Sequence, residues 1–162
     1  DEIRSQKRIA EVAFELQNLR LLDGNYQAEL RTSLVLGNIL IQGTIDGVLE
    51  IDGASVVRDW KTNVHSHLTE KYDQQLALYA MALKEKGIPL SGAEYVDASA
   101  SAKAKSVKKT EVDISDERIT ELRTKMEKVA VQISQGRVEP RPSQKSCDSC
   151  DVSRICSYRV GG

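Results

Sequence analysis

The dipeptide Asp52-Gly53 limits most strongly what this chain can fold into. It sits between two β-branched runs, GTIDGVLEI over 43–51 and ASVVRDWKT over 54–62. Asp-Gly is a preferred pair for a two-residue hairpin turn, because such turns need positive φ at the central residues. A two-residue turn fixes the register: residue 51 faces 54, 50 faces 55, and by the same count Asp46 faces Asp59. Directly opposed side chains share a face with Cβ atoms about 4.5–5.5 Å apart, and like charges there repel. Lys61 lies two residues beyond Asp59 and so on the same face. Two carboxylates and an ammonium therefore meet on one hairpin. Either a cation belongs between the acids, or they are surface charges that Lys61 screens.

Composition narrows the partners. The 162 residues suffice for one domain with a proper core. Net charge is −1, from 23 basic and 24 acidic residues, which excludes a global basic field for nucleic acid. Such a contact has to come from a local patch or through a bound cation. No apolar run reaches the length of a membrane span and no cleavable signal pattern is present, so the expectation is a cytoplasmic protein without a membrane partner. The sequence starts at Asp1, not Met, which suggests a piece of a longer protein. The 3 cysteines all fall between 147 and 156. An odd, clustered set fits a reducing compartment and a metal site better than disulfides.

Periodicity orders the rest. Residues 3–22 read as an amphipathic helix, with Ile9, Val12, Ala13, Leu16 and Leu19 at three- and four-residue steps and turn chemistry at Asp23-Gly24-Asn25. Strands follow at 27–36, 39–51 and 54–62, a three-stranded antiparallel meander with Gly37-Asn38 as its first turn. A helix over 68–86 puts Tyr72, Leu76, Tyr79 and Leu83 on one face; Gly87 and Pro89 stop it. Residues 92–98 and 106–114 read as two more strands. The small, basic stretch between them, ASASAKAKSVKK, reads as a mobile loop. Ser115 caps a last helix through about Gln135, striped by Ile119, Leu122, Met126, Val129 and Ile133. The order predicts an α/β fold, a mixed central sheet flanked by helices. The core is assigned to residues 1–146 and a cysteine-rich tail to 147–162. The longer stretch 139–159 that contains it, EPRPSQKSCDSCDVSRICSYR, has two prolines and no periodicity, so something other than a core must order it.

Hard divalent cations such as Mg²⁺ and Mn²⁺ take carboxylate oxygens, neutralise such a pair and stabilise charge on a phosphodiester under attack. GTIDGV, then VVRDWKT, then YDQQLALY, on strand, strand and helix, resembles the RecB-like branch of the PD-(D/E)xK nuclease superfamily. The likeness runs from about Glu29 to Tyr158. Asp-x-Lys alone is unspecific; the ordered set is not. The resemblance implies a restriction-endonuclease-like core in which Asp46 and Asp59 bind the metal and Lys61 is catalytic. It also implies that the backbone carbonyl of Trp60 completes the metal shell. Gln75 and Tyr79, the Q-x-x-x-Y pair, would lean over the site from one helical face. Without the resemblance, Tyr79 would read as a core residue of that helix.

Cys147-x₂-Cys150-x₅-Cys156 offers three thiolates. Iron–sulfur-containing helicase–nucleases and CRISPR-associated relatives carry four cysteines, the last three at this spacing, so the resemblance implies part of a [4Fe–4S] site. A zinc site completed by His65, His67 or an Asp is the alternative. The chain has no fourth cysteine and no His before His65, where many RecB-like relatives place a metal-binding His; an upstream segment would account for both. His65 and His67, just past the third strand, read either as substitutes for that histidine at the catalytic metal or, more commonly for loop histidines, as solvated or structural residues. Glu29 reads equally as the acidic edge of the site or as a solvent-facing strand residue. Lys103, Lys105, Lys108 and Lys109 form the one local basic cluster, either holding phosphates or simply solvated. The expectation is a Mg²⁺- or Mn²⁺-dependent deoxyribonuclease, acting on single-stranded DNA within a helicase–nuclease of DNA repair or recombination. The rivals are an inactive DNA-binding module of the same fold and a zinc-stapled interaction domain.

Overall fold

The computed structural model describes residues 11–15, 19, 25–137 and 139–161. Residues 11–15 are helical (α1); the rest of the helix expected over 3–22 lies outside the described residues, apart from a turn at 19. Three long strands follow: β1 (Asn25–Leu36), β2 (Ile39–Ile51) and β3 (Ala54–Lys61). The turns behave as their residues dictate. Gly37 takes φ +61°, and Asp52 and Gly53 take +51° and +80°, so Ile51 pairs with Ala54 and the register is set from the turn outward. Both connections are antiparallel.

A 3₁₀ turn at Ser66–Leu68 leads into α2 (Thr69–Glu85), which returns the chain to β4 (Leu90–Asp97), parallel to β3. Then come α3 (Ala98–Ala104), β5 (Lys109–Glu111), α4 (Asp116–Ser134) and α5 (Gln144–Asp148). The sheet order is β1-β2-β3-β4-β5, with β5 antiparallel to β4. The mixed sheet flanked by helices is the one expected.

The core sits between the sheet and α2. Leu76 and Leu83 pack with Ile45, Val48, Val57 and Tyr95. Ala77, Ala80 and Met81 pack with Leu34, Leu36, Ile119 and Leu122 of β1 and α4. The small residues of α2 let the helix lie close to the strands, and truncating a fully buried leucine such as Leu76 costs about 2–5 kcal/mol.

Three sequence expectations are corrected. ASASAKAKSVKK opens as a helix: Asp97 caps it by accepting from the Ala100 N–H at 2.8 Å, and Lys105, at φ +50°, closes it. Alanine-rich and free of β-branched residues, its first seven residues suit a helix better than a loop. The strand expected over 106–114 shrinks to Lys109–Glu111. The stripe on α4 is buried only in its first half: Ile119 and Leu122 are covered, whereas Val129 and Ile133 are 40% and 48% exposed. The tail carries a short helix, α5, capped by Ser143 and without a buried residue.

Candidate active site

The face alternation of β2 slips at one place. Ile45 and Val48 share a buried cluster although they stand three positions apart, a spacing that reverses faces in a regular strand. Asp46 and Gly47 lie between. On one side, the pairs Ala28↔Gly47 and Leu30↔Ile45 straddle Glu29, which takes φ +53°. On the other, pairing with β3 ends at Gly47↔Arg58, one step short of Asp46 and Asp59. Irregularities of this kind re-aim a side chain. Here the Asp46 carboxylate takes the place of a ladder carbonyl, its Oδ2 accepting the Trp60 N–H at 2.9 Å. The expected register holds up to Gly47 and Arg58, but the two acids do not form a ladder pair.

Tyr26 braces this arrangement. Its hydroxyl donates to the Asp46 carbonyl at 3.3 Å and accepts from Trp60 Nε1 at 3.0 Å. It can do so because position 47 is glycine; a Cβ there would overlap the phenol.

Asp59 is 2% exposed. Burial pushes its carboxyl up from the ordinary value, Lys61 pulls it part of the way back, and the nearby Asp46 charge adds to the rise. Lys61 Nζ lies 2.6 Å from Asp59 Oδ2, so that buried oxygen is held by a close counter-charge.

The ammonium is held from the other side by α2. Lys61 Nζ donates to Gln75 Oε1 at 3.2 Å, Gln75 Nε2 donates to the Tyr79 hydroxyl at 3.2 Å, and Tyr79 donates to the Thr44 carbonyl at 2.8 Å. The relay ends on β2, two residues before Asp46. Gly43 admits the Tyr79 ring; a Cβ would lie 2.9 Å from Cε1. Tyr72 places its ring 4.7 Å from Lys61 Nζ, a cation–π contact, and meets Tyr95 edge-on at 5.5 Å. The structure thus brings Asp46, Asp59, Trp60, Lys61, Gln75 and Tyr79 together. Sequence reasoning missed Tyr26, Gly43, Gly47 and the role of Tyr72. The spacing Tyr72-x₂-Gln75-x₃-Tyr79 on one helical face would have found the last.

A model of the PD-(D/E)XK nuclease superfamily matches residues 1–157. The chain belongs to that superfamily.

The chain is also similar to individual proteins. This PD-(D/E)XK chain is 32% identical over 132 residues to the Gene 69 protein of Mycobacterium phage L5, covering 79% of the chain and 43% of the phage protein. To the Gene 69 protein of Mycobacterium phage D29 it is 33% identical over 141 residues, 83% of the chain and 49% of the relative. It therefore spans less than half the length of these relatives. A stretch of 49 residues is 45% identical to an ATP-dependent helicase/nuclease subunit of Ligilactobacillus salivarius (strain UCC118), 28% of this chain and 4% of that one. Among solved structures, SSO0001 superposes with a TM-score of 0.57 at 17% identity, over 98% of this chain and 81% of its own. A candidate exonuclease from Eubacterium rectale gives 0.55 at 18%, over 96% and 59%. At those identities the likeness speaks for the fold, and it matches the expected restriction-endonuclease-like core.

Superfamily members typically use divalent metals, and the acidic pair of this PD-(D/E)XK chain fits one. The buried Asp59 carboxylate and the second carboxylate of Asp46 near it are oxygen donors of the kind hard cations take. Among the described residues no three His, Cys, Asp or Glu side chains converge as a metal site. Glu29, His65 and His67 therefore do not join the pair; the two histidines lie near each other, ring centroids 5.7 Å apart. Cys147, Cys150 and Cys156 are free thiols and do not form a closed site either.

The basic cluster is also partly committed. Lys109 Nζ lies 2.8 Å from Glu94 Oε2, while Arg58 donates twice to Oε1, at 2.8 and 2.5 Å. Burial alone would raise the Glu94 pKa, but these hydrogen bonds outweigh it and hold it below the ordinary range. Lys103, Lys105 and Lys108 remain exposed.

Proposed function

We propose that this chain is a Mg²⁺- or Mn²⁺-dependent deoxyribonuclease domain that hydrolyses phosphodiester bonds, preferentially in single-stranded DNA. The observation that carries the reading is the buried Asp59, 2.6 Å from the Lys61 ammonium and beside a second carboxylate, Asp46. Superfamily membership supports the reaction class.

Asp46, Asp59 and the Trp60 carbonyl would hold the cation. When bound, it supplies positive charge for the phosphate and acidifies a water. Lys61 faces the attacked phosphate, where it stabilises developing negative charge or positions the attacking water. Gln75 and Tyr79 keep that ammonium from swinging into solvent, and Tyr26 with Trp60 fixes Asp46 from behind. A helicase would deliver single strands, and the short likeness to a helicase/nuclease protein supports that context in DNA repair or recombination. Cys147, Cys150 and Cys156 would supply three ligands of a [4Fe–4S] cluster, a reading that rests on their spacing. Visible absorbance with bound iron and sulfide after anaerobic purification tests that assignment; stoichiometric zinc overturns it.

The decisive experiment is cleavage of a labelled single-stranded oligonucleotide with Mn²⁺, beside calorimetric titration with Ca²⁺. Asp59→Ala should lose both cleavage and cation binding; Lys61→Ala should lose cleavage and keep binding. Cleavage persisting in both variants overturns the assignment.

A further inference from the structure

A cavity of about 330 Å³ opens between the β1–β2 hairpin and α2, and the active-site relay forms its inner wall. Gln75 and Tyr79 line it and are also the residues that hold Lys61. Its floor is apolar: Leu34, Ile41, Leu78 and Ala82. Gln42, Gln74 and Lys71 line it too, with Gln42 and Lys71 exposed. The hairpin face and a stripe of α2 at three- and four-residue steps produce this shape, and Gly43 leaves room for the Tyr79 ring at the inner end.

Building on the proposed function, we infer that this cavity receives one unpaired nucleobase of the substrate strand, from the nucleotide next to the cleaved phosphate. Three observations carry the assignment. The cavity adjoins the active site: Gln75 and Tyr79, which line it, also hold Lys61, so a strand with a phosphate at Asp59 and Lys61 would bring a neighbouring nucleoside towards the opening. The chemistry matches a base, with an aliphatic floor and an aromatic wall for its faces and two amides offering donors and acceptors to its edges. The exposed Lys71 supplies positive charge where the backbone of the same strand would leave the cavity. A base still paired in a duplex cannot enter, so the cavity itself would select single strands or frayed ends, without a large basic groove.

The test is an abasic scan. Single-stranded oligonucleotides carrying one tetrahydrofuran abasic residue, moved stepwise across the cleavage position, are assayed with wild-type protein for cleavage in Mn²⁺. Binding is followed by fluorescence anisotropy in Ca²⁺. The expected result is one position, adjacent to the cleaved bond, where loss of the base lowers kcat/KM and affinity about tenfold. Leu78→Trp, which fills the cavity, should flatten the scan, and so should the milder Gln42→Ala in part. A scan without a position-specific drop, or equal cleavage of blunt duplex and single strand, overturns the cavity assignment while leaving the nuclease intact. No cleavage of any DNA overturns the nuclease reading instead, and the anisotropy scan still decides whether a base is held.

Discussion

Tyr26 sits where a side chain on Gly47 would have to be, and from there its hydroxyl joins the Asp46 carbonyl to the Trp60 indole. The absence of one methyl group thus lets a residue of β1 brace an acid of β2. Gly47→Ala should push the phenol away, costing about 1–3 kcal/mol of stability by overpacking and loosening Asp46. Tyr26→Phe should keep the packing and lose only the bridging hydroxyl, about 0.5–1.5 kcal/mol. Thermal unfolding checks the stability, and Ca²⁺ titration checks that affinity weakens in both variants, more in the first.

The elevated pKa of Asp59 gives a pH prediction with a definite sign. Its carboxyl binds its proton more tightly when folded than in the unfolded chain, whose ordinary value is 3.8. As pH falls through the raised folded value towards 3.8, the folded state takes up more protons and the metal-free protein gains stability from this group. Asp59→Asn should remove that dependence. Unfolding midpoints of wild type and variant across about pH 4–8 measure it, and a difference that does not change with pH would contradict it. Because the cation needs the ionised form, Ca²⁺ affinity should begin to fall at a higher pH than for an ordinary carboxylate.

The Lys61–Gln75–Tyr79–Thr44 relay predicts a graded series. Lys61→Ala should lower kcat for Mn²⁺-dependent cleavage by about 10²–10⁴. Gln75→Leu removes the acceptor that holds the ammonium and should cost less, about tenfold or more. Tyr79→Phe should be mildest, since its ring stays over Gly43 and only the hydrogen bonds are lost. Single-turnover cleavage rates, with circular dichroism to confirm folding, rank the three; a Tyr79→Phe loss larger than that of Lys61→Ala would contradict the relay.

On the opposite face of β3, Arg58 and Glu94 form a buried pair at 2.5 Å. Removing one partner of such a pair leaves an uncompensated buried charge, so Glu94→Ala should destabilise by about 3–5 kcal/mol. Lys109→Ala should cost well under that, because its side chain is 46% exposed and solvent screens it. Glu94 is held below its ordinary value of 4.5, so its contribution is present above that value and is lost as pH falls through the folded pKa. Urea unfolding at about pH 7 and about pH 4 separates the two variants.

How much of this is readable in advance depends on whether the signal is local. Asp52-Gly53 takes positive φ at both residues and Gly37-Asn38 at its glycine, so both turns and the registers they set are legible. Asp59 and Lys61 share a face by strand alternation, and Gln75 and Tyr79 by helical spacing. The helix at Ala98–Ala104 escapes a reading by composition, because small and basic residues resemble a loop even though Asp97 can cap it. Val129 and Ile133 continue the stripe of α4, yet periodicity cannot say whether anything covers a stripe.

The amino-acid order alone determined the turns, the strand faces and the ordered motif that marks the superfamily, since each rests on conformational preferences spanning a few residues. Only the tertiary structure decided that β2 slips at Asp46, that its carboxylate takes the Trp60 amide, and that Tyr26, Tyr72 and Glu94 matter at all. Those facts depend on which residue arrives from a distant strand or helix, and close packing around an absent methyl or a buried charge leaves no periodic trace in the chain.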